Sequence, residues 1–285
     1  MTDPPRPHLD PGRRPRSIEV DGDEAAEIAD AATRFGRLQG HAAPADGPTE
    51  TLLREAPITG MGQIVYSSNA TFLVEFDAAD PTNPDEPLRA VYKPARGERP
   101  LWDFRRHSLH FREVAAREVD RALGFNFIPP TILRDGPAGP GSMQLFIDSN
   151  TASLTDDEAT ELRDDVLPVL AALDVVINNA DRKRAHILLD PANRLYAIDN
   201  ALSFLPYPRQ RTILIGLGGT RAPRKAAAAL RSLRNDEPRR AALRERLMSL
   251  LTQYEVDAFD GRLDEFAADP IYPALDPWDG QPFEW

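Results

Sequence analysis

The sequence predicts an α+β chain in two parts, a small β-rich first half followed by a mainly helical second half. Three observations carry this reading. The length of 285 residues, at about 150 per domain, points to two domains or one two-lobed unit. Between residues 63 and 147, short runs rich in β-branched and aromatic residues are separated by turn clusters, whereas from residue 164 onward apolar residues recur at helical spacing. Proline, at 27 residues, is nearly twice its usual ~5% and argues for ordered loops over an all-helical bundle.

Taken in order, residues 1–48 are rich in Pro, Arg, Asp and Ala and read as a mostly disordered extension with one short helix between Glu24 and Leu38. Residues 63–66 and 71–76 read as a hairpin around Ser67, Ser68, Asn69 and Ala70, and Leu88 to Lys93 as a third strand ended by Pro94. Phe111, Val114, Ala115, Val119, Ala122 and Leu123 lie on one face of a helix stopped by Gly124. Residues 130–133 and 142–147 are two more strands split by a Gly-Pro loop at 135–141. A polar link over 149–160 leads to an apolar helix over 164–178, with Asp164 and Asp165 suited to its N-terminus. Residues 186–190 and 194–198 form a hairpin, and residues 224–267 form three helices broken near Pro238 and Tyr254. Trp278 and Trp285 are expected to be packing residues of a proline- and aromatic-rich tail. The expected division is therefore 1–48, 49–148 and 149–285.

Composition narrows the chemistry. With 34 basic and 45 acidic residues the formal charge is −11, which argues against a dedicated nucleic-acid partner, since phosphate neutralisation needs a basic face. Cysteine is absent, which excludes disulfides, thiol catalysis and cysteine-ligated metals. The longest apolar stretch, residues 166–177, is about half a membrane span and contains Pro168 and Asp174, so no membrane span and a cytoplasmic location are expected. Of the basic residues 31 are arginine and three are lysine, Lys93, Lys183 and Lys225. Where any solvated cation suffices this chain supplies Arg, so a lysine on a strand marks a place where a compact ammonium is needed.

The residues that carry chemistry are Asp181 and His186, followed after the hairpin by Asp199. A hairpin returns its chain to its starting point, which places Asp199 beside Asp181 and His186. Two carboxylates and an imidazole suit phosphoryl transfer, one carboxylate orienting a hydroxyl and another holding a divalent ion on phosphates. Lys93 could neutralise those phosphates and Glu113 could hold its ammonium. The turn at Ser67, Ser68 and Asn69 could cover them with N–H groups and hydroxyls.

In this order the runs 62–76, 90–94, 112–116, 129–131 with 141–146, and 178–186 resemble an actinobacterial family related to phosphatidylinositol 3- and 4-kinase catalytic domains, over roughly residues 51–277. The resemblance implies a two-lobed, protein-kinase-like fold that binds ATP with Mg²⁺ or Mn²⁺. By it Lys93 resembles the ATP-phosphate lysine and Glu113 its helix partner, while Gln144, Phe146 and Ile147 belong to the hinge facing adenine. Asp181 resembles the catalytic-loop aspartate, and Asp199 and His186 stand at metal-ligand positions. The pattern departs at His186, where phosphatidylinositol kinases carry Asn, and at Ala201, where a Gly follows the metal aspartate by two. The segment 202–219 offers an acceptor only Arg209 and Arg211, with Arg221 just beyond, so the hydroxyl acceptor is a protein or small molecule and a lipid headgroup is disfavoured. Two other readings fit the same residues: a nucleotide-binding pseudokinase, and an enzyme transferring the nucleotide instead of the phosphate.

Overall fold

The computed structural model describes residues 47–64, 69–81, 83–149 and 151–282, together with Ala29, Thr33 and Phe35, which are helical. The rest of the helix expected between Glu24 and Leu38, the turn residues Ser67 and Ser68, and Trp285 lie outside the described residues. The chain divides into two compact units, Met1–His110 with Pro130–Phe146, and Phe111–Pro129 with Ile147–Trp285.

Among the described residues, the first unit holds a five-stranded antiparallel sheet with a short helix packed against it. Helix α1 (Pro48–Glu55) precedes β1 (Ile58–Gln63), β2 (Phe72–Ala79), β3 (Pro87–Pro94), β4 (Thr131–Gly136) and β5 (Gly139–Leu145), in spatial order β1-β2-β3-β5-β4. Alternation decides the faces. Leu88, Ala90 and Tyr92 of β3 are wholly buried, and Val74 and Met143 beside them complete an apolar layer. Val91 and Lys93 therefore lie on the opposite face, paired with Gln144 and Ser142 of β5. Arg134 of β4 donates to the carbonyls of Leu53 and Ala56, both at 2.8 Å, satisfying orphan groups at the end of α1.

Three sequence expectations change here. The first strand begins at Ile58 instead of residue 63, because its two glycines hide its alternation. The expected loop at 135–141 is a tight hairpin with Gly136 opposite Gly139. Helix α1, short and started by Pro48, falls where an unstructured extension was expected to end.

The second unit is mainly helical. Helix α2 (Leu109–Leu123) begins in the first unit, where Glu98 accepts from the Leu109 and His110 amides at 3.1 and 3.0 Å, and ends at Gly124, whose φ is +71°. Beyond it come α3 (Asp156–Leu162), α4 (Leu167–Ile177), a hairpin of β6 (Ile187–Leu189) and β7 (Leu195–Ala197), and α5 (Arg224–Asn235), α6 (Glu237–Leu250) and α7 (Gln253–Ala268). Helix α3 occupies the expected polar link, made possible by a capping box in which Thr155 and Glu158 satisfy each other's amides. Helix α4 starts at Leu167, with Pro168 in its first turn, so Asp164 and Asp165 precede it. It is buried on nearly all sides, including Asp174. The last three helices break at Asp236 and Thr252, each a side-chain N-cap. Trp278 is 90% exposed, contrary to the packing role expected of it. Tyr272 is buried instead, its ring 5.6 Å from that of Phe266. Among the described residues no helix is long and apolar enough to cross a membrane.

Gly141 of β5 is required by its neighbour strand. A Cβ there would stand 2.4 Å from the Lys93 carbonyl oxygen and 2.8 Å from Pro94 Cα. Gly141→Ala is expected to destabilise by about 1–3 kcal/mol through this overpacking, whereas Gly216→Ala, with nothing within 4 Å, stays near wild type; denaturant unfolding of the two variants checks the contrast.

Candidate functional site

The segment following α4 is shaped by left-handed backbone. Asn178 caps the helix at φ 52°, a conformation Asn tolerates better than most residues. Its side chain then reaches outward, donating to the carbonyls of Leu205 and Tyr207 at 2.9 and 2.7 Å and accepting from the Arg209 amide at 3.0 Å. Asn179 accepts from the Asp181 amide at 2.9 Å and donates to Asp174 at 3.2 Å. Asp181 is thus presented at the end of a buried helix by two asparagines.

Arg182, the next residue, is fully buried. Its guanidinium donates to both Asp174 oxygens, with Nε to Oδ2 at 3.0 Å and Nη2 to Oδ1 at 2.9 Å. Nη2 also donates to Asn200 Oδ1 at 2.6 Å, and Nη1 to the Ile198 carbonyl at 3.1 Å. One side chain therefore joins α4, the 178–183 segment and the end of the β7 return. Glu113 of α2 completes this corner by accepting from the Asn200 amide at 3.0 Å.

The hairpin return brings Asp199 to His186 and His186 to the Asp181 backbone. His186 Nδ1 donates to the Asp181 carbonyl at 2.7 Å, and its Nε2 stands 3.4 Å from Asp199 Oδ2. Asp199 is left-handed, with φ 56°, and its carboxylate is half exposed. Ala201, where the family pattern has Gly, needs no positive φ; the left-handed residues on this stretch are Asp199 and Phe204. Among the described residues no three His, Asp or Glu side chains form a ready-made metal-binding group.

Asp181 faces Lys183, whose Nζ lies 3.1 Å from Oδ2. Burial first, opposed by the Lys183 ammonium and reinforced by the Asp199 charge, leaves its carboxyl pushed up to about 6. Lys183 was named from sequence only among the three scarce lysines, and Arg182, Asn179 and Asn200 were given no role. The scarcity of lysine was the signal for Lys183; nothing in the spacing marked the buried hub.

On the first unit, Lys93 is half-buried on β3 opposite Ser142. Gln144 is buried on β5 and donates to Thr131 Oγ1 at 2.9 Å. The Phe146 amide donates to the Arg89 carbonyl at 2.9 Å, and its ring lies 4.9 Å from the Arg89 guanidinium. Asn69 Oδ1 accepts from the Arg99 amide at 2.8 Å, tying the β1–β2 turn to the segment after β3. Ile147 begins the second stretch of the second unit.

No family model matches the chain. Protein Rv2133c of Mycobacterium tuberculosis is 32% identical over 268 residues, covering 82% of this chain and 93% of that protein. The chain belongs to the Rv2133c family. Among solved structures, hydra Fam20 with sugar superposes with a TM-score of 0.56 at 17% identity, over 84% of this chain and 93% of that one. The Helicobacter pylori proinflammatory kinase CtkA gives 0.48 at 10% identity, over 76% and 93%. The likeness to Fam20 gives this member of the Rv2133c family a mixed α+β, kinase-like fold.

Two outcomes follow for the buried corner of this Rv2133c-family chain. Removing one partner of a buried ion pair costs about 3–5 kcal/mol, so Arg182→Met and Asp174→Leu are each expected to lose that much in denaturant unfolding, and the double variant less than the sum of the two. For Asp181, a folded-state value near 6 lies above the ~3.9 of an unfolded Asp. The folded state holds the proton more tightly, so ionisation costs stability, a cost absent below about pH 4 and complete above about pH 6. Asp181→Asn should raise the thermal midpoint of the metal-free protein at about pH 7 and leave it unchanged at about pH 4.

Proposed function

We propose that this protein is an ATP-dependent phosphotransferase that moves the γ-phosphoryl group to a hydroxyl of a protein or small molecule. The observation that carries this reading is Asp181: a largely buried carboxylate with its proton affinity raised toward neutrality, paired with Lys183 and joined by Asp199 on the returning hairpin. A base whose pKa approaches the working pH suits proton transfer from an alcohol. In the proposed step the acceptor oxygen bonds to the γ-phosphorus and the bond to the bridging oxygen breaks. ADP leaves with that electron pair, and the hydroxyl proton passes to Asp181.

The other residues take complementary parts in this reading. Lys183 supplies positive charge beside Asp181, and on the first unit Lys93 and Asn69 keep the ATP-phosphate roles that the resemblance implies; Ser67 and Ser68, given the same role from sequence, lie outside the described residues. Gln144, Phe146 and Ile147 belong to the adenine side. Glu113 holds the Asn200 amide that follows Asp199. The residues fit a divalent ion: Asp199 offers hard oxygen donors, and its charge already disfavours ionisation of Asp181, a conflict a cation relieves. Mg²⁺ is typically held by one or two carboxylates plus substrate phosphates, which suits Asp199 and Asp181 without a three-ligand cage. When bound, such an ion would screen phosphate charge. His186, with Nδ1 committed to the Asp181 carbonyl, presents Nε2 toward Asp199 and fits Mn²⁺ better than Mg²⁺. The finer assignment, to the phosphatidylinositol 3-/4-kinase-like class, is supported by the order of the sequence motifs.

ATP binding and ADP release in Mg²⁺ or Mn²⁺ test the proposal. Metal-dependent ADP formation is expected in the wild type and is expected to fall by about 10²-fold or more in Asp181→Ala and Asp199→Ala, with Lys93→Ala also weakening ATP affinity. ATP binding without turnover in the wild type would move the assignment to a pseudokinase, and pyrophosphate release would move it to nucleotide transfer.

A further inference from the structure

The chain after Asp199 does not leave the 178–183 segment; it runs back along it. The Ala180 amide donates to Leu202 O at 2.8 Å and the Phe204 amide to Ile177 O at 2.7 Å. Further on, the Arg211 amide donates to Asn179 O, the Arg182 amide to Arg211 O and the Ile213 amide to Arg182 O, all at 3.0 Å. Arg211 and Ile213 thus face Asp181's own segment. The intervening Thr212 faces the other way, and its amide donates to Gly280 O at 2.9 Å. Residues 211–213 are the middle line of a three-line array whose outer lines are the Asp181 segment and the C-terminal tail.

The tail is built for this place. Tyr272 is buried and its hydroxyl donates to the Pro168 carbonyl. The Tyr272 amide donates to Thr220 O, and its carbonyl accepts from the Gly219 amide, both at 2.9 Å. Asp276 Oδ1 then accepts from the Trp278 and Asp279 amides at 2.8 and 3.0 Å, and the Gly280 amide donates to Asp276 O at 2.8 Å. This turn aims the Asp279 carbonyl at Arg211 Nε, 3.0 Å away, and the Gly280 carbonyl at Thr212. Gly280 must be glycine: a Cβ would meet Leu275 Cβ at 2.6 Å and Asp276 O at 2.7 Å.

We propose that residues 272–280 are a positioning strap that fixes the 207–220 loop and, through Arg211 and Ile213, the backbone on either side of Asp181. A loop this long with little regular structure ordinarily leaves its amides to water. Here the amides of 211–213 are divided between two protein edges, so the tail holds the loop in the register that Asp181's segment needs. The catalytic consequence rests on the phosphotransferase reading; the physical coupling does not.

Hydrogen exchange on the full chain, comparing wild type with Asp276→Ala, Asp276→Asn and Gly280→Ala, tests it. Opening the turn in Asp276→Ala or Gly280→Ala is expected to lower protection of the Thr212, Ile213 and Arg182 amides about tenfold, the scale of one net hydrogen bond. Protection elsewhere in the second unit stays unchanged, and Asp276→Asn, which keeps an acceptor oxygen, restores the wild-type pattern. If Thr212 alone exchanges faster, if nothing changes, or if the whole second unit loosens together, the strap does not position the segment and the proposal falls. Where the wild type turns over ATP, kcat should fall in Asp276→Ala with KM for ATP unchanged and recover in Asp276→Asn. An inactive wild type would remove the phosphotransferase reading while leaving the exchange result decisive for the strap.

Discussion

The buried Arg182 guanidinium is the constraint on which the second unit's functional corner depends. A charge with no exposed surface is tolerable only if its donors are filled, because desolvation otherwise exceeds any Coulombic gain. Asp174 takes two of its edges, Asn200 a third, and the Ile198 carbonyl a fourth. These partners come from two separate pieces of chain, joined by Arg182 to its own segment, and the directions of a planar guanidinium are fixed. Satisfying one side chain therefore fixes where α4 ends, where Asp181 stands and where the chain returns after β7. A buried pair of this kind is weak evidence for net stability and better evidence for a unique arrangement.

Around that hub, strain and satisfaction are distributed in a consistent way. Three left-handed non-glycine residues, Asn178, Asp199 and Phe204, lie on the chain that enters and leaves it. Asn178 and Asp199 are types that visit this region most readily; Phe204 is not, yet its ring is fully buried against Phe259 at 6.1 Å between centroids and its amide is held by Ile177 O. Backbone conformations costing on the order of 1–3 kcal/mol persist where packing over-determines them. Arg112 adds to this, donating to the Ser203 carbonyl and to Glu255 from a buried position on α2.

Much of this architecture was legible in the sequence wherever periodicity was undisturbed. Strand β3, α2, the β6–β7 hairpin and the last three helices read directly from alternation or helical spacing. Helix α3 did not, since its stability resides in a cap and not in an apolar stripe, and β1 did not because its glycines leave no alternation to read. For the site, hairpin closure was enough to bring Asp199 beside His186 and Asp181. The hub was illegible for a physical reason: Asp174 sits inside an otherwise apolar helix, and a buried polar residue announces itself only when its partner is known. Arg182 reads from sequence as a surface charge, one of 31 arginines.

Arginine and lysine stand side by side at 182 and 183 and make different kinds of contact. Arg182 needs several donors in fixed directions and does not need to move, which is the task of a guanidinium. The Lys183 ammonium pairs with Asp181 from a position about a quarter exposed, and a flexible stem carrying a point charge can turn from that carboxylate toward an incoming anion. Its pairing lowers the proton affinity that burial raises in Asp181. If the proposed phosphotransfer occurs, drawing the ammonium away to a phosphate would raise that affinity as Asp181 accepts the proton. An arginine at 183, held by a bidentate grip on the carboxylate, would keep Asp181 quenched. In the phosphotransferase reading, composition would bear on mechanism: in a chain that uses arginine almost everywhere, the adjacent lysine would be the cation able to let go of Asp181.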